Sequence, residues 1–557
     1  ILFWSCGNES YAGENIAAVS RYFHEKDKER LVQYEGVFHN RKYDAISDVE
    51  SRMYAKPQEI QEYLESDPKK PYLSCEYMHA MGNSLGGLKL YTDLEREYSM
   101  YQGGFIWDLI DQALIGWRDG KEVLAYGGDF GDRTSDYEFC GNGIVFADRT
   151  ISPKAQEVKM LYSNVKLYPD EKGVKVVNDN CFTNTDEFIF VYGILKDGEC
   201  VFIGQKEISV PPLESAYIPL DYPDVKEEGE LVYEVSMRLL EDTMWAEKGF
   251  EIVSGQYVTG KMKGPKKSKK PWRVVKGDAN IGVFADGFEA MFSKTEGGIT
   301  SLKYEGKEYV LRTPKTNYWR PLTDNDRGAG AGLAFDMAPW MYAGQCQKLE
   351  NVEVDVQERY LKIRYEYKLP LSQDARNIIT YKVDSCGKIQ VTTRYEGAKN
   401  PGIMPSFGML WKLDEKYHNF RYYGYGPSEN YVDRMEGARL GIYEGTAKDN
   451  VTPYLVPQEC GNRVGTRWLE VYDEEGCGIR FRAKEGTSFE SCVLAYGPLE
   501  LEQALHQYEL QKPCFTWVRL NAAQMGVGGD DSWGAPVHDI YLLSPDSVYE
   551  MTFTIEK

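Results

Sequence analysis

The stretch Tyr72-Leu73-Ser74-Cys75-Glu76-Tyr77 decides the fold class of the N-terminal region. Pro71 precedes this short apolar run, and a helical pattern over residues 85–98 follows it. A strand that leads into a helix and then into another strand is the repeating unit of a parallel sheet. The stretch also places a carboxylate, Glu76, where such a strand ends.

The same pattern recurs on both sides of this stretch. Four further strands are predicted from the apolar runs at residues 1–6, 31–36, 49–54 and 104–108. Helices are predicted between them at residues 15–26, 57–66 and 85–98. These units fall short of the eight, in about 250 residues, that close a (β/α)8 barrel. Residues 1–165 are therefore predicted to form either an open α/β domain or the last five-eighths of a barrel.

The rest of the sequence changes to short alternating runs. Residues 166–260 alternate apolar and polar side chains, which predicts one immunoglobulin-like β-sandwich. Residues 261–275 are rich in Lys, with Gly and Pro, and are predicted to be a solvated basic linker rather than a nucleic-acid patch. Residues 276–557 alternate almost throughout, which predicts a large antiparallel β-sandwich.

Composition excludes several classes of function. The 557 residues include 65 Lys and Arg against 86 Asp and Glu, a net charge of −21 that argues against nucleic acid or an anionic membrane as the partner. No apolar run of about 18 residues is present, so no membrane-spanning helix is predicted. The 11 cysteines form no CxxC pair, which favours reduced thiols in a cytoplasmic protein. The six histidines form no HExxH motif, so a dedicated zinc site is not expected.

Two carboxylates, Glu9 and Glu76, each follow an apolar strand. A single Glu at a strand end is usually a solvated loop residue. The pair is more informative if the strands belong to a barrel, because active sites of barrels are built at the carboxyl ends of the strands. Glycoside hydrolysis needs two such groups, one protonated to donate to the leaving oxygen and one ionised to attack the anomeric carbon.

Neighbouring side chains strengthen this hypothesis. The amide of Asn8 could bond a sugar hydroxyl, and the phenol of Tyr54 could donate to Glu76 and restrain it. His79 follows Glu76 by three residues, although a structural histidine is the default interpretation. Trp107 ends the last strand of the series and could stack on the apolar face of a pyranose, with a core tryptophan as the equal alternative.

Longer motifs resemble the long bacterial lactase-type β-galactosidases of glycoside hydrolase family 2. The resemblance rests on Asn8-Glu9-Ser10 and on the run from Cys75 to Gly87, which contains His79-Ala80-Met81-Gly82-Asn83-Ser84. Further matching motifs lie at residues 102–112, 126–132, 139–149, 318–326, 424–431 and 525–533. The ordered motifs span essentially the whole sequence. The related β-glucuronidases share the barrel and the two Glu residues, so a β-glucuronidase-like specificity is kept as an alternative.

The resemblance implies a role for each matching catalytic position. Glu9 is similar to the family's acid/base and Glu76 to the nucleophile that forms the galactosyl-enzyme. Tyr54 is similar to the tyrosine that bonds the nucleophile. Family enzymes retain the anomeric configuration, so the carboxyls of Glu9 and Glu76 are expected to lie about 5–5.5 Å apart.

The resemblance also implies binding positions. Asn8 and His79 match galactose-binding positions, Trp107 matches the tryptophan under the galactose ring, and Trp533 matches an aromatic on the aglycone side. Lactose-like β-galactosides are thus the expected substrate.

Two metal ions are implied in the same way. Glu9 matches a magnesium ligand, and Phe139, through its carbonyl, and Asn142 match two ligands of a sodium ion. The remaining ligands of both ions are expected upstream of residue 1, as are the first barrel strands. The expected partners are therefore the missing N-terminal portion of the same enzyme and further copies in a homo-oligomer.

A second hypothesis remains open for this sequence. Five parallel strands without closure would leave two unpaired edges, so the chain could be a non-catalytic remnant whose sandwiches bind a sugar or a partner. The intact pair Glu9 and Glu76 favours a catalytic function, since a decayed site is expected to lose one of the two.

Overall fold

The structure is a computed structural model that describes residues 1–225, 228–264, 271–329, 331–399 and 401–557. Strands dominate it, and the parallel ladders lie in the N-terminal region. Residues 265–270, the centre of the predicted basic linker, lie outside the described residues. In the part of the chain that is described, no helix is long and apolar enough to cross a membrane.

The N-terminal region alternates strands with helices. Its elements are β1 Phe3–Ser5, α1 Glu14–Lys26, β2 Leu31–Gln33, β3 Glu50–Met53, α2 Pro57–Glu65, β4 Tyr72–Tyr77, α3 Leu88–Glu97, β5 Tyr101–Ile106, β6 Leu114–Arg118, β7 Lys121–Ala125 and α4 Lys154–Leu161. Strand β1 pairs in parallel with β2, and β4 pairs in parallel with both β3 and β5. The five predicted strands are therefore present, but β1–β2 and β3–β5 form two separate sheets.

Local sequence explains how these elements form and pack. Pro57 occupies the first turn of α2, and the Glu59 carboxylate accepts a hydrogen bond of 2.9 Å from the Lys56 amide that precedes the helix. Ile60 and Leu64, four residues apart, turn the same buried face toward the tyrosines of the sheet. Burial of each aliphatic side chain contributes about 1.5–3 kcal/mol.

Two details differ from the sequence-based expectation. The strand predicted at residues 31–36 ends at Gln33, and Glu35–His39 form a 3-10 helix instead. The hairpin of β6 and β7 was not predicted, because its side chains such as Leu114, Ile115 and Trp117 are exposed and give no clean alternation.

The second region consists of two antiparallel sheets packed face to face. Its strands are β8 Val165–Pro169, β9 Gly173–Asn178, β10 Phe188–Lys196, β11 Glu199–Lys206, β12 Glu214–Pro219, β13 Glu230–Leu239 and β14 Glu251–Gly260. The sheets have the orders β11-β10-β13-β14 and β12-β9-β8. Side chains from both sheets, among them Val174, Val176, Phe190 and Val235, share one buried cluster.

The third region is a much larger assembly of antiparallel sheets. Its strands are β15 Trp272–Lys276, β16 Asn280–Ala285, β17 Phe288–Ser293, β18 Gly298–Tyr304, β19 Lys307–Glu308, β20 Arg312–Asn317, β21 Lys348–Val356, β22 Tyr360–Lys368, β23 Arg376–Asp384, β24 Ile389–Glu396, β25 Ser406–Asp414, β26 Asn419–Gly426, β27 Arg439–Thr446, β28 Asn462–Thr466, β29 Trp468–Tyr472, β30 Gly478–Ala483, β31 Phe489–Leu494, β32 Phe515–Gln524 and β33 Tyr549–Glu556. Three short helices interrupt them: α5 Asp324–Gly328, α6 Ala331–Met341 and α7 Pro498–Gln503.

These strands form three sheets. Strands β15–β19 form a five-stranded sheet, a second five-stranded sheet has the order β20-β25-β32-β31-β28, and a nine-stranded sheet has the order β21-β22-β23-β24-β33-β30-β29-β26-β27. Strand β22 shows why the sequence folds this way, because Leu361, Ile363 and Tyr365 are buried while the intervening Lys362 and Arg364 are not. The predicted alternation of buried and exposed side chains is thus present in β22. All three sheets contribute side chains to one buried hydrophobic cluster.

Candidate active site

Glu76 and Tyr54 lie together at the ends of two neighbouring strands. Glu76 is half-buried near the end of β4, and Tyr54 directly follows β3. The Tyr54 hydroxyl donates a hydrogen bond of 2.9 Å to Oε2 of Glu76. The Tyr54 amide also donates to the Glu76 carbonyl at 2.9 Å, so backbone and side chain tie the two strand ends together. A carboxylate held in this way has a fixed orientation.

The electrostatic environment of Glu76 contains opposing contributions. Burial raises the pKa of its carboxyl, and the hydrogen bond from Tyr54 lowers it again. The charges of Glu9 and Glu35 add a further increase to that pKa. The charges of Glu9 and Glu35 therefore both oppose ionisation of Glu76.

Glu9 lies on an exposed turn after β1. Its backbone has a φ of +53°, and its amide donates a hydrogen bond of 2.7 Å to Oε1 of Glu35. Glu9 and Tyr54 both line a cavity of about 780 Å³, together with Glu35. Asn8 is exposed on the same turn. The Glu9 carboxylate is thus presented to solvent next to a large cleft.

His79 is buried beneath this face of the sheet. Its Nδ1 forms a hydrogen bond of 2.9 Å with the Ser532 hydroxyl, which comes from the third region of the chain. Burial, helped by the charge of Lys154, lowers the pKa of His79 to about 4. The imidazole is therefore neutral near neutral pH, and its second nitrogen, Nε2, can either donate or accept according to the tautomer.

Aromatic rings surround His79. Trp533 packs edge-on against Tyr54 and His79, with ring centroids 4.7 and 5.1 Å away. Its side chain remains 49% exposed, so one face is free to contact a ligand. Trp107, just after β5, is 39% exposed, and its carbonyl accepts a hydrogen bond of 2.8 Å from the Ala80 amide. Two partly exposed indoles thus lie close to the loop that carries His79.

Phe139 and Asn142 share one turn. Nδ2 of Asn142 donates a hydrogen bond of 3.1 Å to the Phe139 carbonyl. The amide oxygen of Asn142 is buried without a hydrogen-bond partner among the described residues. A buried oxygen without a donor, next to a backbone carbonyl, has the chemistry of a site for a hard monovalent cation.

Glu9 has no comparable metal-binding surroundings. In the described residues, the one group of three metal-ligating side chains is Asp473, Glu475 and Cys477, far along the chain in the third region. The donor set around Glu9 therefore does not by itself form a magnesium site.

Contacts between the first and third regions hold this site together. Asp530 accepts hydrogen bonds from the Tyr91 hydroxyl at 2.6 Å and from His538 Nε2 at 3.0 Å. The Asp433 carboxylate accepts from the amides of Val527 and Gly528, both at 2.9 Å. The segment 525–533, which carries Ser532 and Trp533, is thus fixed on both sides.

Sequence reasoning missed some residues of this site. Glu35 follows β2 as Glu9 follows β1, so the same search for carboxylates at strand ends could have found it. Ser532 precedes the predicted Trp533, but no local pattern indicates that it reaches His79. The buried amine of Lys154 donates to the Ala80 carbonyl at 2.6 Å, and no pattern in the sequence predicts this contact.

Replacing Tyr54 by Phe is expected to move the acidic limb of the pH–activity profile to higher pH. The substitution removes the hydrogen bond that lowers the pKa of Glu76, so a higher pH is needed to ionise that carboxylate. The loss in kcat is expected to be about 10- to 1,000-fold. A pH series of kcat/KM checks the shift. Tyr63→Phe is the control, because its hydroxyl donates to the Lys70 carbonyl instead. An acidic limb that stays in place would contradict this role of Tyr54.

Comparison with known proteins gives consistent results along the chain. Residues 1–167 match the family described as "Glycosyl hydrolases family 2, TIM barrel domain". Residues 174–259 match "Beta-galactosidase, domain 4", and residues 285–555 match "Beta galactosidase small chain". The parallel strands of the first region are accordingly part of a TIM barrel.

Individual relatives are similar over long alignments. A β-galactosidase of Halalkalibacterium halodurans is 46% identical, covering 100% of this chain and 55% of the relative. A β-galactosidase of Streptococcus thermophilus is also 46% identical, over 100% of this chain and 56% of the relative. One from Clostridium acetobutylicum is 51% identical over 80% of this chain and 50% of the relative. The chain spans about half the length of the curated relatives that it matches. It therefore belongs to glycoside hydrolase family 2, in the lactase-type branch of that family.

Proposed function

We propose that this chain carries the catalytic groups of a retaining β-galactosidase that cleaves terminal β-D-galactosyl residues from lactose-like substrates. The observation that carries the proposal is the hydrogen bond of 2.9 Å from Tyr54 to Glu76, with the charge of Glu9 acting on the same carboxylate. A restrained, half-buried carboxylate suits a nucleophile, and an exposed one beside a cleft suits a group that exchanges protons.

The proposed reaction proceeds in two displacements. The Glu76 carboxylate attacks the anomeric carbon while Glu9 donates its proton to the leaving oxygen, which gives a galactosyl ester and frees the aglycone. Glu9, now ionised, takes a proton from water, and the resulting hydroxide displaces Glu76 and restores both groups. This chemistry predicts that the carboxyls of Glu9 and Glu76 lie about 5–5.5 Å apart.

Four residues are proposed to bind the substrate. Asn8 and neutral His79 would bond sugar hydroxyls, and Trp107 would stack under the galactose ring. Trp533 would contact the aglycone, which its half-exposed position against Tyr54 and His79 supports.

Structural observations support the proposed sodium site but not the proposed magnesium site. The Phe139 carbonyl and the unpartnered Asn142 oxygen would hold a sodium ion, which would supply a positive charge for a substrate hydroxyl. Glu9 as a magnesium ligand rests on the family resemblance alone, and the other ligands would come from residues outside this chain.

Further proposals concern architecture and setting. The seven strands of the second region, in sheets of four and three, support an immunoglobulin-like sandwich. The 11 cysteines form no CxxC pair, which supports a reducing, cytoplasmic setting. We infer that the enzyme acts with a complementary N-terminal portion, since β1–β2 and β3–β5 do not close a barrel. The proposed homo-oligomer rests on the family resemblance alone.

The separation of the parallel strands into two sheets also favours a second candidate. In that case this chain would be a non-catalytic remnant that binds a sugar or a partner. Assaying aryl β-galactoside, β-glucoside and β-glucuronide side by side, with and without the N-terminal half of a relative, separates the possibilities. Hydrolysis of the galactoside only is the expected result. Preferential hydrolysis of the β-glucuronide would indicate a β-glucuronidase-like specificity. Inactivity in every combination would indicate that the chain is a non-catalytic remnant.

Replacing Glu9 by Gln is expected to slow poor leaving groups far more than good ones. An amide cannot donate a proton to the leaving oxygen, and activated aryl leaving groups need little protonation. The expected loss is about 100- to 10,000-fold for lactose and much smaller for a dinitrophenyl galactoside. Measuring kcat/KM over a series of leaving-group pKa values checks this. Equal losses for lactose and the activated substrate would contradict the acid role of Glu9.

A further inference from the structure

A second pocket lies on the five-stranded sheet that begins with β20, and none of the residues that line it belongs to the proposed active site. It encloses about 250 Å³ on the outer face of strands β20, β25 and β32. Its lining contains three cations, Arg312, Lys315 and Lys412, and one acid, Glu500. In a chain of net charge −21, such an excess of positive charge in one pocket calls for an explanation.

The strand register places these groups in one row. Arg312 of β20 is directly opposite Lys412 of β25, which in turn is opposite Trp517 of β32. Like charges that face each other across an antiparallel pair destabilise a sheet. The sheet therefore keeps two opposed cations at a cost in stability.

The three cations are also unpaired. In the described ranges, no carboxylate lies within ion-pair distance of Arg312, Lys315 or Lys412. The Glu500 carboxylate accepts a hydrogen bond of 2.6 Å from the Gly497 amide, and its charge acts on Lys412 without forming an ion pair.

Several outward arginines of the nine-stranded sheet are paired with acids. There Arg364 pairs with Glu366 at 3.0 Å, Arg376 with Glu366 at 2.6 Å, and Arg394 with Glu396 at 3.2 Å. Lys362 and Lys382 of the same sheet also face each other, so an opposed pair of cations does not mark a binding site by itself, and the pocket that gathers three cations is the distinguishing feature.

The amine of Lys412 is held over an aromatic platform. Its Nζ lies 3.4 Å from the centre of the Phe515 ring and 4.9 Å from that of Trp517. Cation–π contact of this kind fixes the ammonium while leaving its other side free. Burial lowers the pKa of Lys412, so this ammonium has lost part of its hydration, which an anion could replace.

We propose that this pocket binds a small molecule that carries a phosphate group. The row of Arg312, Lys412 and nearby Lys315 supplies three charged donors for one dianion. Leu410 and Leu499 in the pocket wall supply an apolar surface for the body of such a molecule. The enclosed volume suits a body of about the size of a hexose.

Calorimetric titration of the 557-residue chain tests the proposal with glucose 6-phosphate, inorganic phosphate and glucose as probes. We expect glucose 6-phosphate to bind and glucose to show no binding at this site. Binding of inorganic phosphate with similar affinity would identify the free ion as the source of the phosphate group. Lys412→Gln and Arg312→Gln should each weaken phosphate binding at least tenfold.

Two controls separate a binding site from a structural or general charge effect. Arg364→Gln removes one paired cation from the nine-stranded sheet and should leave phosphate binding unchanged. Without ligand, Arg312→Gln should keep or raise Tm, because it removes a like-charge contact. The proposal would be overturned if neither phosphate compound bound, if Arg364→Gln weakened binding equally, or if Arg312→Gln lowered Tm.

Discussion

Glu76→Gln is expected to abolish hydrolysis of β-galactosides, with a loss in kcat of about 10,000-fold or more. Gln has the size of Glu and its amide oxygen can still accept the hydrogen bond from Tyr54, so the strand ends should keep their arrangement. An amide cannot form the glycosyl ester, and the first displacement therefore stops. Single-turnover measurements with an aryl galactoside check the loss, and calorimetry with galactose checks that binding survives.

A rescue experiment makes the assignment of Glu76 sharper. Glu76→Gly opens space for a small anion such as azide on the side of the anomeric carbon from which Glu76 attacks. With an activated substrate, azide should restore turnover and give a galactosyl azide of inverted configuration. Glu35→Gln is the matched control, because Glu35 also follows a strand end but contacts the backbone of Glu9. The assignment would fail if Glu76→Gln kept most of its activity while Glu35→Gln lost it.

Glu459→Leu is expected to lower the free energy of unfolding by about 3–5 kcal/mol. Both carboxylate oxygens of Glu459 accept hydrogen bonds from Arg519, at 2.7 and 2.6 Å, and both side chains are almost fully buried. Removing the acid leaves a buried guanidinium without its ion-pair partner. Urea denaturation followed by tryptophan fluorescence measures the change.

The double variant Glu459→Leu with Arg519→Met tests the reason for this loss. Replacing both partners by apolar side chains removes the uncompensated charge and should recover most of the stability. Asp93→Ala is the control, because its exposed ion pair with Lys89 is worth less than about 0.5 kcal/mol. If the double variant were as unstable as Glu459→Leu, the unpaired charge would not be the cause.

Short-range patterns in the sequence predicted many of the strands and helices of this protein. The period-two alternation in β22 and the strand–helix units around β4 follow from side-chain direction, so they can be recognised within a few residues. Glu9 and Glu76 were predicted by the same local reasoning, because Glu76 lies near the end of β4 and Glu9 lies on the turn after β1.

Contacts between distant parts of the chain could not be predicted in this way. The hydrogen bond between His79 and Ser532 depends on how the first and third regions dock, and no local pattern encodes docking. Strand β2 ends early for a similar reason, since the 3-10 helix that follows packs Val37 into a local core formed with Tyr34 and Ile46. The pairing of Arg312 with Lys412 likewise appears only once the register of β20 and β25 is known.

The contact between His79 and Ser532 has a consequence for the kinetics of folding. These residues are 453 positions apart, so the chain must close a very large loop before the site is complete. Many of the antiparallel strand pairs join strands that lie much closer in sequence, and such local contacts form sooner. On refolding from urea, β-structure should therefore return first, and catalytic activity should recover only in a later phase that follows the docking of segment 525–533.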